Sequence, residues 1–289
     1  MSAAIGSFLR PEGFDGPSGL RALARELSTV SEGARLVRRT RSDRRDRPRT
    51  YAVANRPAPH DPVLLVPGFM AGDGTLKAMS LFLRAEGLRT YRAQFHVNAG
   101  CTREAADRLE RRLEAIATRR ERKVTIVGHS LGGMLARGLA ARRPDLVEGI
   151  VAMGSPVLAP GAIHKILAWD TAMLAKLTRA GVRGLMSEDC VAGECARLSW
   201  EESQAPLDPE VSFTAIYSKR DGIVDWRACL DPAAKAVEVR TSHCGMAIDP
   251  VVMDEVLGAL RAQQVRRATK ASLLAGPAAV AGSLHVAHR

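Results

Sequence analysis

Apolar residues recur along this chain in two rhythms. Short runs rich in Val, Ile and Leu at 63–66, 124–127, 146–153 and 211–217 have the length and β-branched content of buried strands, and 88–95 and 236–240 are further candidates. Between them the period lengthens to that of a helix. Residues 76–85 form one such stretch, and residues 102–120 place Ala105, Leu109, Leu113 and Ile116 on one face with charges around the rest. Helix-forming runs also follow residue 130 and occupy 250–264. Strand and helix alternate from 63 to 154, which predicts an α/β fold: a mostly parallel sheet, right-handed crossovers, and helices on both faces. In such sheets the chemistry gathers at the carboxyl ends of the strands.

Two long stretches stand outside this alternation. Residues 1–16 are punctuated by Gly and Pro; from Ser18 a helical pattern with Leu20, Leu23, Ala24, Leu27, Val30, Ala34 and Val37 leads into an arginine-rich run at 35–49. A basic amphipathic helix of this kind suits an anionic bilayer surface. The favoured reading is that it packs on the body and leaves a solvated arginine tail. Residues 157–210 carry a helix with Ile163, Ile166, Leu167, Trp169, Met173, Leu174 and Leu177, too broadly apolar to be half solvated. The expected division is a basic arm over 1–50, a core over 51–156 and 211–264, the insertion 157–210, and a tail over 265–289 broken by Gly276-Pro277, frayed or docked on the surface.

With 289 residues, 46% hydrophobic and 25% charged, the chain suits one large domain with an insertion rather than two domains. The formal charge of +11 would suggest nucleic acid, but it is concentrated at the ends. Residues 1–50 hold 11 arginines against 6 acids, residues 261–289 hold 5 basic residues and no acid, and the body between is close to neutral. Arms of this kind favour peripheral contact with an anionic surface over a grip on a duplex, so no nucleic-acid partner is expected. The first residues lack a charged and then apolar leader, and no run of 18 apolar residues occurs. A cytoplasmic location, with peripheral membrane contact as an option, and cysteines as thiols are the expectations.

Candidate chemistry centres on residues 123–136, where the 124–127 strand runs into Gly128-His129-Ser130-Leu131-Gly132 and then a helix. Gly-x-Ser-x-Gly between a strand and a helix is the form of a nucleophile elbow, a turn that holds the serine in a strained conformation and needs small neighbours. A plain Gly-Ser turn without chemistry is the bland alternative. His129 sits inside the elbow, pointing away from the nucleophile. The strand at 63–66 ends in Pro67-Gly68-Phe69 and a glycine-rich loop. That turn can aim the N–H of Phe69 at the point reached by the N–H of Leu131, giving two donors for an oxyanion. Phosphate binding by these glycines is disfavoured, since neither Gly-x-Gly-x-x-Gly nor the Gly-Lys-Ser/Thr loop is present.

Together with a later acid and histidine, these motifs resemble the α/β-hydrolase family, most of all bacterial lipases and esterases, over about residues 62–262. The resemblance implies an α/β-hydrolase fold, a helical cap or lid at 157–210, and a site in the chain order Ser, Asp, His. Many lipases carry His-Gly where this chain has Pro67-Gly68, which keeps the Phe69 donor but removes a side chain that can brace the loop. His243 follows the 236–240 strand and alone among the seven histidines fits the order. Asp221 and Asp225 both follow the strand ending near Tyr217; the family's usual placement, on a turn beside a glycine, points to Asp221-Gly222, and leaves Asp225 as a helix cap.

The implied catalytic residues are Ser130, Asp221 and His243, with Phe69 and Leu131 as the oxyanion hole and no metal or cofactor. The implied activity is that of a serine ester hydrolase on a small-molecule ester or lipid with a sizeable acyl group. An acyltransferase or thioesterase with the same site, or a non-catalytic binding protein that keeps the fold, are the alternatives. Cys190 and Cys195 have poor zinc spacing and read as a loop disulfide or two thiols. A Cys229–Cys244 disulfide bracing both catalytic loops would resemble some secreted lipases, while the missing leader argues for thiols.

Overall fold

The structure, a computed structural model, describes residues 5–46 and 61–275. Six strands form one parallel sheet in the order β2-β1-β3-β4-β5-β6: β1 (Pro62–Val66), β2 (Arg89–Arg92), β3 (Val124–His129), β4 (Val147–Met153), β5 (Ser212–Tyr217) and β6 (Lys235–Glu238). The central strands have almost no polar positions because both sheet faces are covered. Successive residues serve opposite cores. Leu64, Val66, Ile126 and Ile150 pack with α4 (Thr102–Arg120) and α5 (Leu131–Arg142), whereas Val63, Leu65, Val127 and Val151 pack with α3 (Lys77–Ala85) and α9 (Pro250–Ala275). Each such side chain withdrawn from water contributes roughly 1.5–3 kcal/mol, so a slip of one residue in register would exchange the two cores wholesale.

Between β4 and β5 lie α6 (Lys165–Arg179), α7 (Asp189–Ala192) and α8 (Glu194–Gln204). Leu174 and Ala175 of α6 are buried, while Ile166, Trp169 and Met173 remain exposed. A buried ion pair fastens the end of this insertion: Arg137 Nε of α5 lies 2.8 Å from Asp231 Oδ2, and its Nη1 donates to the Ala205 carbonyl at 2.6 Å.

The two ends differ from expectation. The helix read as continuous from Ser18 is two helices, α1 (Gly19–Glu26) and α2 (Thr29–Asp46), which meet at Leu27-Ser28. Their apolar stripe does not face the body: Leu20, Leu27 and Val30 are exposed, while Ala22 and Glu32 are buried. Arg35 pairs with Asp249, and Arg39 pairs with Asp254 at 2.6 Å while its guanidinium lies over the Phe82 ring. Two arginines of the basic run are thus spent on the body; the side chains of Arg44, Arg45, Arg47 and Arg49 lie outside the described residues.

At the other end α9 continues to Ala275, well past the expected boundary at 264. Good helix formers carry it, and Arg267–Asp61 and Lys270–Glu210 pairs hold it. The tail from residue 276, like His60, His285 and His288, lies outside the described residues. No helix among the described residues is long and apolar enough to cross a membrane.

Candidate active site

Ser130 stands between β3 and α5 with φ 52° and ψ −122°, a conformation that L-residues reach only under strain. Two things hold it there. Its N–H donates to the Met153 carbonyl of the neighbouring strand at 2.8 Å, and the turn packs so closely that a Cβ on Gly132 would fall 2.2 Å from the Val66 carbonyl oxygen. Any side chain at position 132 would therefore push β1 and the elbow apart. Ser130 is buried, and among the described residues its Oγ makes no hydrogen bond.

The parallel register sets the other groups around it. Val66 pairs with Gly128, His129 with Met153, Met153 with Ile216, and Tyr217 with Glu238, so the loops after β1, β3, β5 and β6 leave the sheet at one end. The loop after β5 carries Asp221, and that after β6 carries His243. Asp221 Oδ1 accepts from the N–H groups of Ile223 and Val224 at 2.8 and 2.7 Å, and Oδ2 lies 2.7 Å from His243 Nδ1. The carboxylate is pinned by its own loop before it meets the imidazole. Burial pulls the His243 pKa down, but the charge of Asp221 and its hydrogen bond outweigh that and raise it above the ordinary value.

Asp225 is placed elsewhere. Its Oδ1 accepts from Arg227 N–H at 3.0 Å, capping the turn Trp226–Cys229, and its Oδ2 meets the Arg227 guanidinium at 2.7 Å and Asp15 N–H at 3.2 Å.

His129 does not simply turn away. Its ring lies 4.9 Å from that of His243, and its Nε2–H donates to the His243 carbonyl at 3.0 Å. Full burial and the neighbouring His243 push its pKa down to about 4, so it remains neutral and acts as a rigid prop under the histidine loop.

Phe69 follows β1. A Cβ on Gly68 would lie 3.0 Å from Ser130 Cβ, which puts the Pro67–Phe69 turn against Ser130. Neither Phe69 N–H nor Leu131 N–H donates to another group among the described residues. The brace that a histidine would supply at position 67 comes from Asn98, which is buried. Its side-chain amide donates to the Pro67 carbonyl at 3.0 Å, its carbonyl accepts from Met70 N–H at 2.9 Å, and its own N–H donates to the Ala71 carbonyl at 2.8 Å.

Sequence reasoning also missed two acids on the N-terminal helices. Glu26 Oε1 accepts from Gly222 N–H at 2.9 Å and His243 N–H at 3.0 Å, and its Oε2 from Cys244 N–H at 3.0 Å. One carboxylate thus joins the aspartate loop to the histidine loop. Glu32, 1% exposed, accepts from Ser242 N–H at 2.9 Å and Ser242 Oγ at 2.5 Å. The approach of α1 is close enough that a Cβ on Gly222 would sit 2.2 Å from the Ala22 carbonyl oxygen. The glycine beside Asp221 serves this contact as well as the turn. The one local cue in sequence, Thr29-x-x-Glu32, has the form of a helix cap and gives no hint of a partner 210 residues away.

From Ser130 a cavity of about 160 Å³ extends between α5 and the insertion. Its wall includes Phe69, Leu131, Met134, Leu167, Met186 and Trp200. All five cysteines are free thiols, so neither the Cys190–Cys195 nor the Cys229–Cys244 bond is formed; Cys229 is buried and Cys244 exposed.

Comparison with known proteins bears on the fold. A family model of the alpha/beta hydrolase fold matches residues 84–182. A triacylglycerol lipase of Vibrio cholerae serotype O1 is 32% identical over 99 residues, a match spanning 32% of this chain and 31% of the lipase, so only about a third of that relative's length is represented. The mature form of a Bacillus licheniformis lipase superposes with a TM-score of 0.56 at 14% identity, covering 72% of this chain and 95% of the other. Its propeptide form gives 0.53 at 16% identity, covering 70% and 51%. The chain has the α/β-hydrolase fold. Within that fold it is similar to bacterial lipases.

Proposed function

We propose that the protein is a serine carboxylic-ester hydrolase of the lipase or esterase type, working through an acyl-enzyme on an ester with an apolar acyl group. The observation that carries this reading is a strained, buried serine opening an apolar cavity, with an aspartate-bound histidine on a loop at the same end of the sheet. With Nδ1–H donated to Asp221, His243 has Nε2 as its proton acceptor. Ser130 Oγ attacks the ester carbonyl carbon while Nε2 takes its proton, a hydrogen bond that commonly tightens only when substrate arrives. The negative charge that moves onto the carbonyl oxygen is met by the N–H groups of Phe69 and Leu131. Collapse expels the alcohol, protonated by His243, and a water deprotonated by the same nitrogen releases the acid.

The acyl group enters the cavity, whose 160 Å³ resembles the roughly 150 Å³ void known to take a benzene ring, so about six carbons fit before the chain must reach toward solvent. The segment between β4 and β5, which supplies Leu167, Met186 and Trp200 to the wall, serves as the cap over that chain.

A panel of p-nitrophenyl esters from acetate to palmitate tests this, with a thioester of the preferred acyl group alongside. Turnover should peak near six carbons and vanish in Ser130→Ala. A folded wild-type protein with no hydrolysis above buffer across the panel would overturn the proposal, and faster release from the thioester would reassign the substrate class.

A further inference from the structure

We propose that Cys101, Cys190 and Cys195 form a binding site for one thiophilic metal ion of the Zn²⁺ kind, fastening the insertion to the core beside the cavity. The three Sγ atoms come from three places, the loop before α4, the short α7 and the first turn of α8, yet all lie within 4.8 Å of one another. Cys101 Sγ and Cys195 Sγ are 3.4 Å apart although 94 residues separate them in sequence. Thiolates around a tetrahedral zinc, at about 2.3 Å from the metal, sit about 3.8 Å from each other, so the cluster needs only small side-chain rotations to close on an ion.

The donor set also selects the ligand. Three sulfurs favour soft ions such as Zn²⁺ or Cu⁺ over Mg²⁺ or Ca²⁺, which take oxygen. Burial raises the pKa of the Cys190 and Cys195 thiols, so it takes a bound ion to hold them as thiolates. Cys101 is the residue preceding the 19-residue helix α4 and Cys195 is the second residue of α8, so the N-terminal ends of two helices border the site. Ser187 Oγ lies 3.4 Å from Cys190 Sγ and can donate to it. Cys195 N–H donates to Asp189 Oδ1 at 3.3 Å, which fixes the turn between α7 and α8. A disulfide would use two of these sulfurs and would give no reason for the third to converge on the same point.

The consequence is mechanical. Thr102, Cys190, Val191, Ala196 and Ser199 all border the cavity that begins at Ser130. A metal held by one ligand from the core and two from the insertion would lock α7 and α8 against α4 along that wall, releasing one proton from each thiol as it binds. This holds whether or not the protein hydrolyses esters.

The test uses reduced, full-length protein kept anaerobic. Titration with Co²⁺ should give a thiolate-to-cobalt charge-transfer band that saturates at one ion per chain and is displaced by Zn²⁺. Cys101→Ser, Cys190→Ser and Cys195→Ser, each checked for folding by circular dichroism, should each weaken Co²⁺ binding at least tenfold. In wild-type protein Zn²⁺ should raise the melting temperature and slow alkylation of these three cysteines while exposed Cys244 keeps reacting. Absence of the band, a band undiminished in the three variants, or alkylation at the three cysteines that ignores Zn²⁺ would overturn the proposal, as would a disulfide between any two of them that persists in protein purified without oxidant.

Discussion

The elbow around Ser130 and the helix pair α1–α2 both shape the same site, and they do so in opposite ways. The elbow is a short stretch of chain, a strand, five residues of turn and a helix, held by the two strands beside it: Met153 accepts from Ser130 N–H, and a Cβ on Gly132 would strike β1. The N-terminal pair acts at a distance. Its carboxylates hold backbone N–H groups of residues 222 and 242–244, and its apolar side chains Leu20, Leu27 and Val30 point to solvent. On the proposed reading, the serine is set by backbone strain, whereas the acid and the histidine, on separate loops, are joined by an outside clamp. Charge-assisted bonds to main-chain N–H supply it without any side chain on the loops having to be special.

The sharpest way to break this comparison is to remove the acid that the clamp holds in place. Asp221→Asn should lower kcat roughly 10⁴-fold with the fold retained, because the imidazole loses both its tautomer and its counter-charge. The acid limb of the kcat/KM profile, set by a His243 pKa raised above its ordinary value, should move to lower pH in the same variant. An unchanged pH limb would mean that Asp221 does not face the imidazole in solution.

The next effect sharpens the elbow side. His129 is neutral and buried with a pKa near 4, whereas in the unfolded chain it takes a proton near 6.5. Between those values the unfolded state binds more protons, so stability falls as pH drops from about 6.5 to about 4, by roughly 3 kcal/mol if the whole shift is expressed. Thermal melts of wild type and His129→Gln across this window should differ in slope, the variant being flatter.

Smaller still is the clamp itself. Glu26→Gln keeps the size of the side chain but weakens three bonds to the catalytic loops, and a cost of about 2 kcal/mol is expected from the usual strength of hydrogen bonds to a charged group. Its signature should be a fall in kcat with KM little changed, together with faster hydrogen exchange at residues 222 and 243–244. Asp225→Asn, which loosens the cap on residues 226–229 and the contacts to Arg227 and Asp15, should cost about 1 kcal/mol of stability and leave turnover largely intact.

These contrasts explain what could be read from the sequence. Strand runs, the parallel order and the Gly128–Gly132 turn are written in composition and period over a dozen residues at most, and the structure follows them to within a few positions. Ser130, Asp221 and His243 each follow a strand, so topology alone brings their loops to one end of the sheet. Glu26 and Glu32 carried no such mark. In α1–α2 the leucines suggested which face would be buried, but the body offered backbone donors rather than an apolar groove, and the acids turned inward instead. Asn98 was hidden in the same way, since an asparagine in a loop reads as a turn former until its three bonds to the loop after β1 are seen. Cys190 and Cys195 read as a poor metal pair, and nothing in the sequence joins Cys101 to them; only the packing of the insertion on α4 does.

The central claim is that Ser130 is a nucleophile activated where these two regions meet. It is tested most directly by treating the protein with a fluorophosphonate and reading intact and peptide masses. One adduct per chain, placed on Ser130 and absent from a folded Ser130→Ala variant, is the predicted result, with labelling slowed in Asp221→Asn. Labelling that persists in Ser130→Ala, or none at all on folded wild-type protein, would contradict it.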